Sequence, residues 1–254
     1  MKMISCNFLT KSYGTGFLKR KSKPAINGVS LQVQQNEVFG IIGLNGAGKS
    51  SILKIFMGFI RQDSGTAHIA GTPAGTASNH YRIGYLPEHP SLYPNLTITE
   101  HLDFACSIIN LTSQDKKKRI QSVLDTVGLA DSAKIPIKRF SKGMTQRAAL
   151  AYAILLEPEI LILDEPMSGL DPLGRQLVID IIREYQNKGT TILFCSHILT
   201  DVERICDRIG IMHQGNLAAI VPTPIPASNC NSAAQHTGNG KTPLETLFLN
   251  TVQA

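Results

Sequence analysis

Residues 39–58 read FGIIGLNGAGKSSILKIFMG, and glycines stand at 40, 43, 46 and 48. Glycine weakens strands and helices alike, so four within nine residues need a specific cause. Before them runs an apolar stretch, Val38 to Ile42, of the kind that forms a strand buried on both faces. After them, Ile52, Leu53, Ile55 and Phe56 follow helical spacing from Lys49 onward. GLNGAGKS, residues 43–50, matches G-x-x-x-x-G-K-[ST]. Strand, glycine loop and helix in that order confine the chain to an α/β fold with the loop at a strand's C-terminal end.

The chemistry of such a loop is phosphate binding. Without Cβ atoms at the glycines, consecutive backbone N–H groups can curl round phosphate oxygens. The groups concerned belong to Gly43, Leu44, Asn45, Gly46, Ala47, Gly48, Lys49, Ser50 and Ser51. The helix starting near Lys49 turns its positive dipole end to the same anion. Lys49 adds a mobile point charge for the β- and γ-phosphates, and Ser50 a hydroxyl for Mg²⁺. By composition alone the pattern arises in roughly one chain per hundred of this length, and the flanking strand and helix make chance rarer still.

A second segment carries complementary chemistry. EILILDEP, residues 159–166, is an apolar strand that ends in two carboxylates. Asp164 is expected to emerge at the strand end, where ligands of open α/β sheets sit, and to hold Mg²⁺ through its hydration shell. Glu165 points elsewhere and can polarise an attacking water. On its own this segment would also suit a helix-entry loop with two solvated acids.

The chain has 254 residues, of which 43% are apolar and 17% charged, an ordinary balance for a globular protein. Its net charge of +6 suits an anionic ligand or membrane surface but does not itself argue for nucleic acid. No run of 18 apolar residues occurs, and MKMISCNFLTKSYG lacks the apolar core of a secretory signal, so a cytosolic setting is expected. Five cysteines without a C-x-x-C pair read as reduced, structural thiols.

Strands are expected over 3–12, 26–34, 38–42, 82–86, 160–163, 190–195 and 208–212. Helices are expected over 97–110, 114–127, 144–156, 172–186 and 199–206. Residues 71–80, GTPAGTASNH, have loop composition. The alternation predicts a parallel sheet with helices on its faces, and a helical insertion over about 93–152. One domain thus covers 1–220, a low-complexity linker 221–243 and a short helix 244–254. Two basic runs, KRKSK at 19–23 and KKKR at 116–119, could touch nucleic acid or lipid. The second reads more simply as the solvated face of a helix whose apolar side is Ile120, Val123, Leu124 and Val127.

With these elements in hand, RFSKGMTQRAALAYAILLEPEILILDEPMSGLDP resembles the ATP-binding cassette family of transporter ATPases, and the likeness runs from residue 1 to about 220. It implies a P-loop NTPase with a RecA-like parallel-sheet core, an N-terminal antiparallel β subdomain and a helical insertion carrying a signature loop. FSKGMTQR, 140–147, is similar to that loop, whose common form is LSGGQ. Ser141 and Gly143 match, whereas Phe140, Lys142 and Met144 depart.

The resemblance implies two ATP molecules held between paired subunits, each contacted by Ser141, Lys142 and Gly143 of the opposite one. SGLD, 168–171, resembles the family's D-loop, with Asp171 at the dimer seam. His197 stands where the family has its switch histidine, and would work with Glu165 and Lys49 in hydrolysis. Tyr13 stands where an aromatic stacks on adenine. Glu88, in GYLPE, replaces the family's usual glutamine and is a candidate Mg²⁺ contact beside Ser50 and Asp164. GYLPE with FSKGM, and the ending PLETLFLNTV, resemble the branch that serves ABC-2-type exporters.

The implied function is the nucleotide-binding subunit of an exporter. It would act as a homodimer or paired subunit on separate integral membrane permeases, at the cytoplasmic face of the cell membrane, without nucleic acid. The rival is a soluble ATP-driven switch in translation, DNA repair or cluster assembly. Against it, the chain carries neither a second cassette nor a long coiled coil. A module that binds ATP without hydrolysing it fits poorly with Asp164, Glu165 and His197 all present.

Overall fold

A computed structural model of the chain describes residues 1–14, 24–109, 111–224 and 242–253. In chain order the elements are β1 (Lys2–Lys11), β2 (Ile26–Gln34), β3 (Val38–Gly43), α1 (Lys49–Phe56), β4 (Ser64–Ile69), β5 (Thr72–Pro73), β6 (Ile83–Leu86), α2 (Ile98–Cys106), α3 (Ser113–Thr126), α4 (Lys142–Ile154), β7 (Ile160–Asp164), α5 (Pro172–Asn187), β8 (Thr191–Ser196), α6 (Leu199–Ile205), β9 (Arg208–His213), β10 (Asn216–Pro222) and α7 (Pro243–Gln253). They fall into two compact units. One comprises Met1–His80 and Leu193–Ala254, the other Tyr81–Ile192.

In the first unit β2, β1, β4 and β5 form an antiparallel sheet in that order. Ile4, Cys6 and Leu9 of β1 and Val29, Leu31 and Val33 of β2 are buried, as strands with one core-facing side require. β1 bulges at Phe8, whose φ is 48°. Gly65 lies opposite, and a Cβ there would come within 2.4 Å of the Phe8 carbonyl oxygen. β3 is buried along its whole length. It runs parallel to β9, with Phe39 opposite Arg208 and Gly43 opposite Met212. β9 turns back into antiparallel β10 through Gln214 and Gly215, both at positive φ, the conformation that a tight hairpin demands. α7 packs on β9 and α6, and its Leu244 is fully buried.

In the second unit β6 and β7 pair in parallel, Ile83 with Ile160 through Leu86 with Leu163. α4 lies against β6 so closely that a Cβ on Gly84 would sit 2.1 Å from the Ala153 carbonyl oxygen. Alanines at 148, 149, 151 and 153 keep that face low. Caps set the helix starts. Thr97 and Glu100 form a reciprocal capping box for α2, Thr112 caps α3, Ser141 caps α4, and Asp171 precedes Pro172 at the head of α5.

The structure corrects several expectations. Residues 71–80 are not plain loop. Thr72 and Pro73 pair with β4, and Ala77–Asn79 form a 3₁₀ turn. Asn79 is buried there, its amide donating to the Pro73 carbonyl at 3.0 Å while its side-chain oxygen accepts from Thr72 Oγ1 at 2.7 Å. Side-chain-to-backbone bonds of this kind order a stretch whose composition suggests none. β4, SGTAHI, lies outside the expected strands because it carries little but small and polar residues, and β10 lies outside them too and runs to Pro222, into the start of the expected linker. α4 begins at Lys142 rather than Met144, because the Ser141 hydroxyl accepts from the Met144 N–H.

The KKKR run is only partly a solvated face. Lys116 pairs with Asp103 at 2.8 Å and Arg119 with Glu157 at 3.2 Å, while Lys117 and Lys118 are exposed. Cys6, Cys106, Cys195 and Cys206 are buried thiols outside any disulfide. The run at 19–23, Cys230 and most of the expected linker lie outside the described residues.

Candidate active site

The first unit carries the glycine loop. β3 ends at Gly43, where a Cβ would fall 2.5 Å from the Met212 carbonyl oxygen of the adjacent strand. Gly46 and Gly48 have φ of 81° and 105°. A Cβ on Gly48 would lie 2.3 Å from the Ala25 carbonyl oxygen, whereas one on Gly46 would meet nothing within 4 Å. Gly48 is therefore demanded by the protein's own packing, and Gly46 by its backbone angle and by whatever fills the open space beside it.

The loop is held from outside as well. The Gly215 N–H donates to the Ala47 carbonyl at 3.1 Å, and the Asn27 N–H donates to the Gly215 carbonyl at 2.8 Å. Gly48 is the N-cap of α1 and supplies no side chain to cap it, which leaves first-turn N–H groups to an external anion.

Lys49 is buried, and its ammonium donates to the carbonyls of Gly43 at 2.7 Å and Leu44 at 3.4 Å. The sequence suggested a mobile charge. Instead, the ammonium is folded back on loop carbonyls, because a buried cation needs acceptors. Ser50 and Ser51 are half-buried on the first turn of α1. The Tyr13 hydroxyl lies 3.1 Å from Ser51 Oγ, and Lys11 Nζ sits 5.9 Å from its ring centre. Tyr13 is 44% exposed. His197 is exposed one residue beyond β8, where the Ile198 N–H donates to Ser196 Oγ at 3.0 Å.

The second unit carries the acids. Asp164 is the last residue of β7 and is 4% exposed, so it does not emerge from the strand end as expected. The strand stays covered through its final residue. Glu165 follows with a φ of 52°, a left-handed conformation that costs a side-chain-bearing residue about 1 kcal/mol or more. Its carbonyl accepts from the Ser168 N–H at 3.0 Å and from Gln146 Nε2 of α4 at 3.4 Å. Glu88 stands two residues past Leu86, as Glu165 stands two past its strand partner Leu163, so both follow the C-terminal ends of paired parallel strands. Glu88 is half-exposed, with His89 Nε2 3.9 Å from its carboxylate.

Ser141, Lys142, Gly143 and Asp171 share a cavity of about 570 Å³, which also takes in Gly169 and Arg147. Lys142 lies across Gly169 so tightly that a Cβ there would be 2.6 Å from its Cδ and Cε. Asp171 accepts from the Gly174 N–H at 2.8 Å. Gly143 faces Leu170, whose Cδ2 would be 3.3 Å from an added Cβ. Arg147 fixes α4 behind the cavity by donating to the Val127 and Gly128 carbonyls, each at 2.9 Å. A second cavity, of about 510 Å³, is apolar and aromatic, with Tyr85, Pro87, Tyr93, Phe104 and Tyr152 in its lining.

The candidate residues thus divide. Tyr13, Gly43 to Ser51 and His197 belong to one unit; Glu88, Ser141 to Gly143, Asp164, Glu165 and Asp171 belong to the other. Two supports escaped the sequence reading. The Gly215 turn is visible there only as a hairpin glycine, and Gln146 only as a lone amide ahead of an alanine-rich helical run.

Comparison with known proteins identifies the family. The family model described as ABC transporter matches residues 26–168, more than half of the chain, and the chain belongs to that family. It is 45% identical over 211 residues to an uncharacterised ABC transporter ATP-binding protein of Synechocystis, covering 82% of this chain and 60% of that protein. It therefore spans about three fifths of that relative's length. It is 37% identical over 220 residues to the linearmycin resistance ATP-binding protein LnrL of Bacillus subtilis, covering 86% of this chain and 68% of LnrL. Among solved structures, an ATP-binding subunit of an ABC transporter superposes with a TM-score of 0.83 at 29% identity, over 98% of this chain and 99% of that one. No described helix is long and apolar enough to cross a membrane.

Proposed function

We propose that the chain is the ATP-hydrolysing subunit of an export system, working in pairs on separate membrane-embedded subunits. The observation that carries this is the backbone of the glycine loop in a chain of the ABC transporter family: Gly46 and Gly48 are left-handed, and α1 starts without a side-chain cap. That arrangement suits a triphosphate bound by N–H groups and a helix dipole. In this reading Gly43 to Ser51 cradle the phosphates, and Lys49 exchanges its loop carbonyls for phosphate oxygens. Tyr13 stacks on the adenine.

Ser141, Lys142, Gly143 and Asp171 receive the nucleotide of a second copy, across the cavity that they line. Glu165 takes a proton from the attacking water, and His197 orients that water.

Hydroxyl and carboxylate oxygens are hard donors that suit Mg²⁺. No cluster of three His, Cys, Asp or Glu side chains able to hold a metal occurs among the described residues. This donor set therefore fits an ion held largely by phosphate and water, for which Ser50, Asp164 and Glu88 would offer oxygen contacts. Bound there, Mg²⁺ would neutralise charge on the phosphates.

The apolar cavity beside Tyr93, Phe104 and Tyr152, next to Glu88, suits the membrane subunits. A relative named for linearmycin resistance supports outward transport. Two substitutions test the reading. Lys49→Ala should weaken ATP binding by at least a hundredfold in a fluorescent-nucleotide titration, because the β- and γ-phosphates lose their cation. Glu165→Gln should bind ATP normally, cease turnover and accumulate as a nucleotide-bound dimer in size-exclusion chromatography. Parental hydrolysis in Glu165→Gln, or its failure to dimerise with ATP, would refute the assignment.

A further inference from the structure

The elements behind the acids contain a side chain that this mechanism does not use. Gln146 is 3% exposed on α4, among Ala148, Ala149, Leu150 and Ala151. A buried amide without a partner is costly, so an apolar residue would serve packing better at this position. What Gln146 does there is donate from Nε2 to the carbonyl oxygen of Glu165 at 3.4 Å. That carbonyl also accepts from the Ser168 N–H, which closes the turn after β7. The residue it belongs to holds a φ of 52°, a backbone state that persists only where neighbours enforce it.

We propose that Gln146 is a positioning residue that holds the Glu165 backbone in its left-handed turn and so aims the Glu165 carboxylate. This rests on the reading of Glu165 as the base. It has a mechanical consequence. Gln146 lies five residues after Ser141, on the helix that Ser141 caps and that Arg147 anchors. A nucleotide seated on Ser141 and Lys142 fixes the head of α4, and through Gln146 it fixes the turn that carries the base of the same chain. Occupancy at one site of a pair is thereby reported to the catalytic carboxylate serving the other.

The test uses the purified full chain. Gln146→Met keeps the volume and removes the donor. Its kcat should drop about tenfold, the loss expected of one buried hydrogen bond, with ATP affinity within twofold of the parent. Gln146→Glu is isosteric and donates only when protonated. Its kcat relative to the parent should therefore rise as pH falls from 8 to 6, while the ratio for Gln146→Met stays flat. That series decides the matter even if Gln146→Met fails to fold.

Parental kcat in Gln146→Met would overturn the brace, and so would a pH-independent ratio in Gln146→Glu. Equal losses of affinity and kcat in Gln146→Met would overturn it too, by marking an ordinary packing role. Glu165→Gln, run alongside, separates the two levels. If that variant is inactive while Gln146→Met is fully active, the base stands and the brace falls; if it turns over, the base itself is wrong and the brace goes with it.

Discussion

The loop after β3 and the turn after β7 solve the same geometric problem in opposite ways. Each follows a fully buried strand, and each needs backbone at positive φ. After β3 the left-handed positions are Gly46 and Gly48, so the backbone itself is presented and no side chain intrudes. After β7 the left-handed position is Glu165, where glycine would be the relaxed choice. A side chain kept at the cost of a strained backbone is a candidate for function. In the proposed function the contrast separates a site that works with N–H groups from one that works with an acid.

The largest expected effect tests the glycine side. Gly48→Ala combines a φ of 105° with a Cβ 2.3 Å from a backbone oxygen that has no easy escape. A cost of about 3 kcal/mol or more should lower ATP affinity on the order of a hundredfold or beyond. Gly46→Ala meets no protein atom, so without ligand it pays only for its angle, and its thermal midpoint should fall less. Equal loss of apo stability in the two variants, measured by thermal unfolding, would break the distinction between packing-imposed and ligand-imposed glycine.

The acid side is probed by Glu165→Gly. Releasing the strain at φ 52° should raise the unfolding midpoint by about 2 °C while turnover disappears. A lower midpoint would mean that the conformation carries no strain, and the contrast would fail.

The smallest effect concerns the strand behind the glycine loop. Cys206 packs on Gly40 of β3, where a Cβ would lie 2.7 Å from its sulfur. Burial pushes its thiol well up, and that of Cys6 up to about 12. Both should resist a thiol reagent at pH 8 until denaturant is added. A raised folded pKa means stability fully present below about pH 9, the ordinary value of the Cys6 thiol, and lost as pH climbs towards 12. Rapid labelling of Cys206 itself in the native chain, located by peptide mapping, would indicate a β3 environment looser than a strand buried on both faces allows.

Much of this was legible in the residues, because the relevant signals are local. GLNGAGKS fixes glycine spacing within one loop, and ILILDE fixes a buried strand followed by two acids. Ser141 as an N-cap follows from its own chemistry, though the helix starts two residues earlier than the apolar spacing suggested. What escaped were features that depend on partners distant in sequence. β4 is a strand because β1 lies beside it, and its own residues, SGTAHI, say little. Asp164 looked ready to emerge but is covered.

By itself, the sequence determined the α/β class, the glycine loop between strand and helix, the family and the acids that end a buried strand, since each is written in a contiguous run whose backbone requirements are its own. Only the tertiary structure decided that Lys49 rests on loop carbonyls, that Gly215 pins Ala47, and that Gln146 reaches the Glu165 carbonyl. These are hydrogen bonds that satisfy buried polar groups across gaps of up to 168 residues, and a buried donor takes whichever acceptor packing brings within reach.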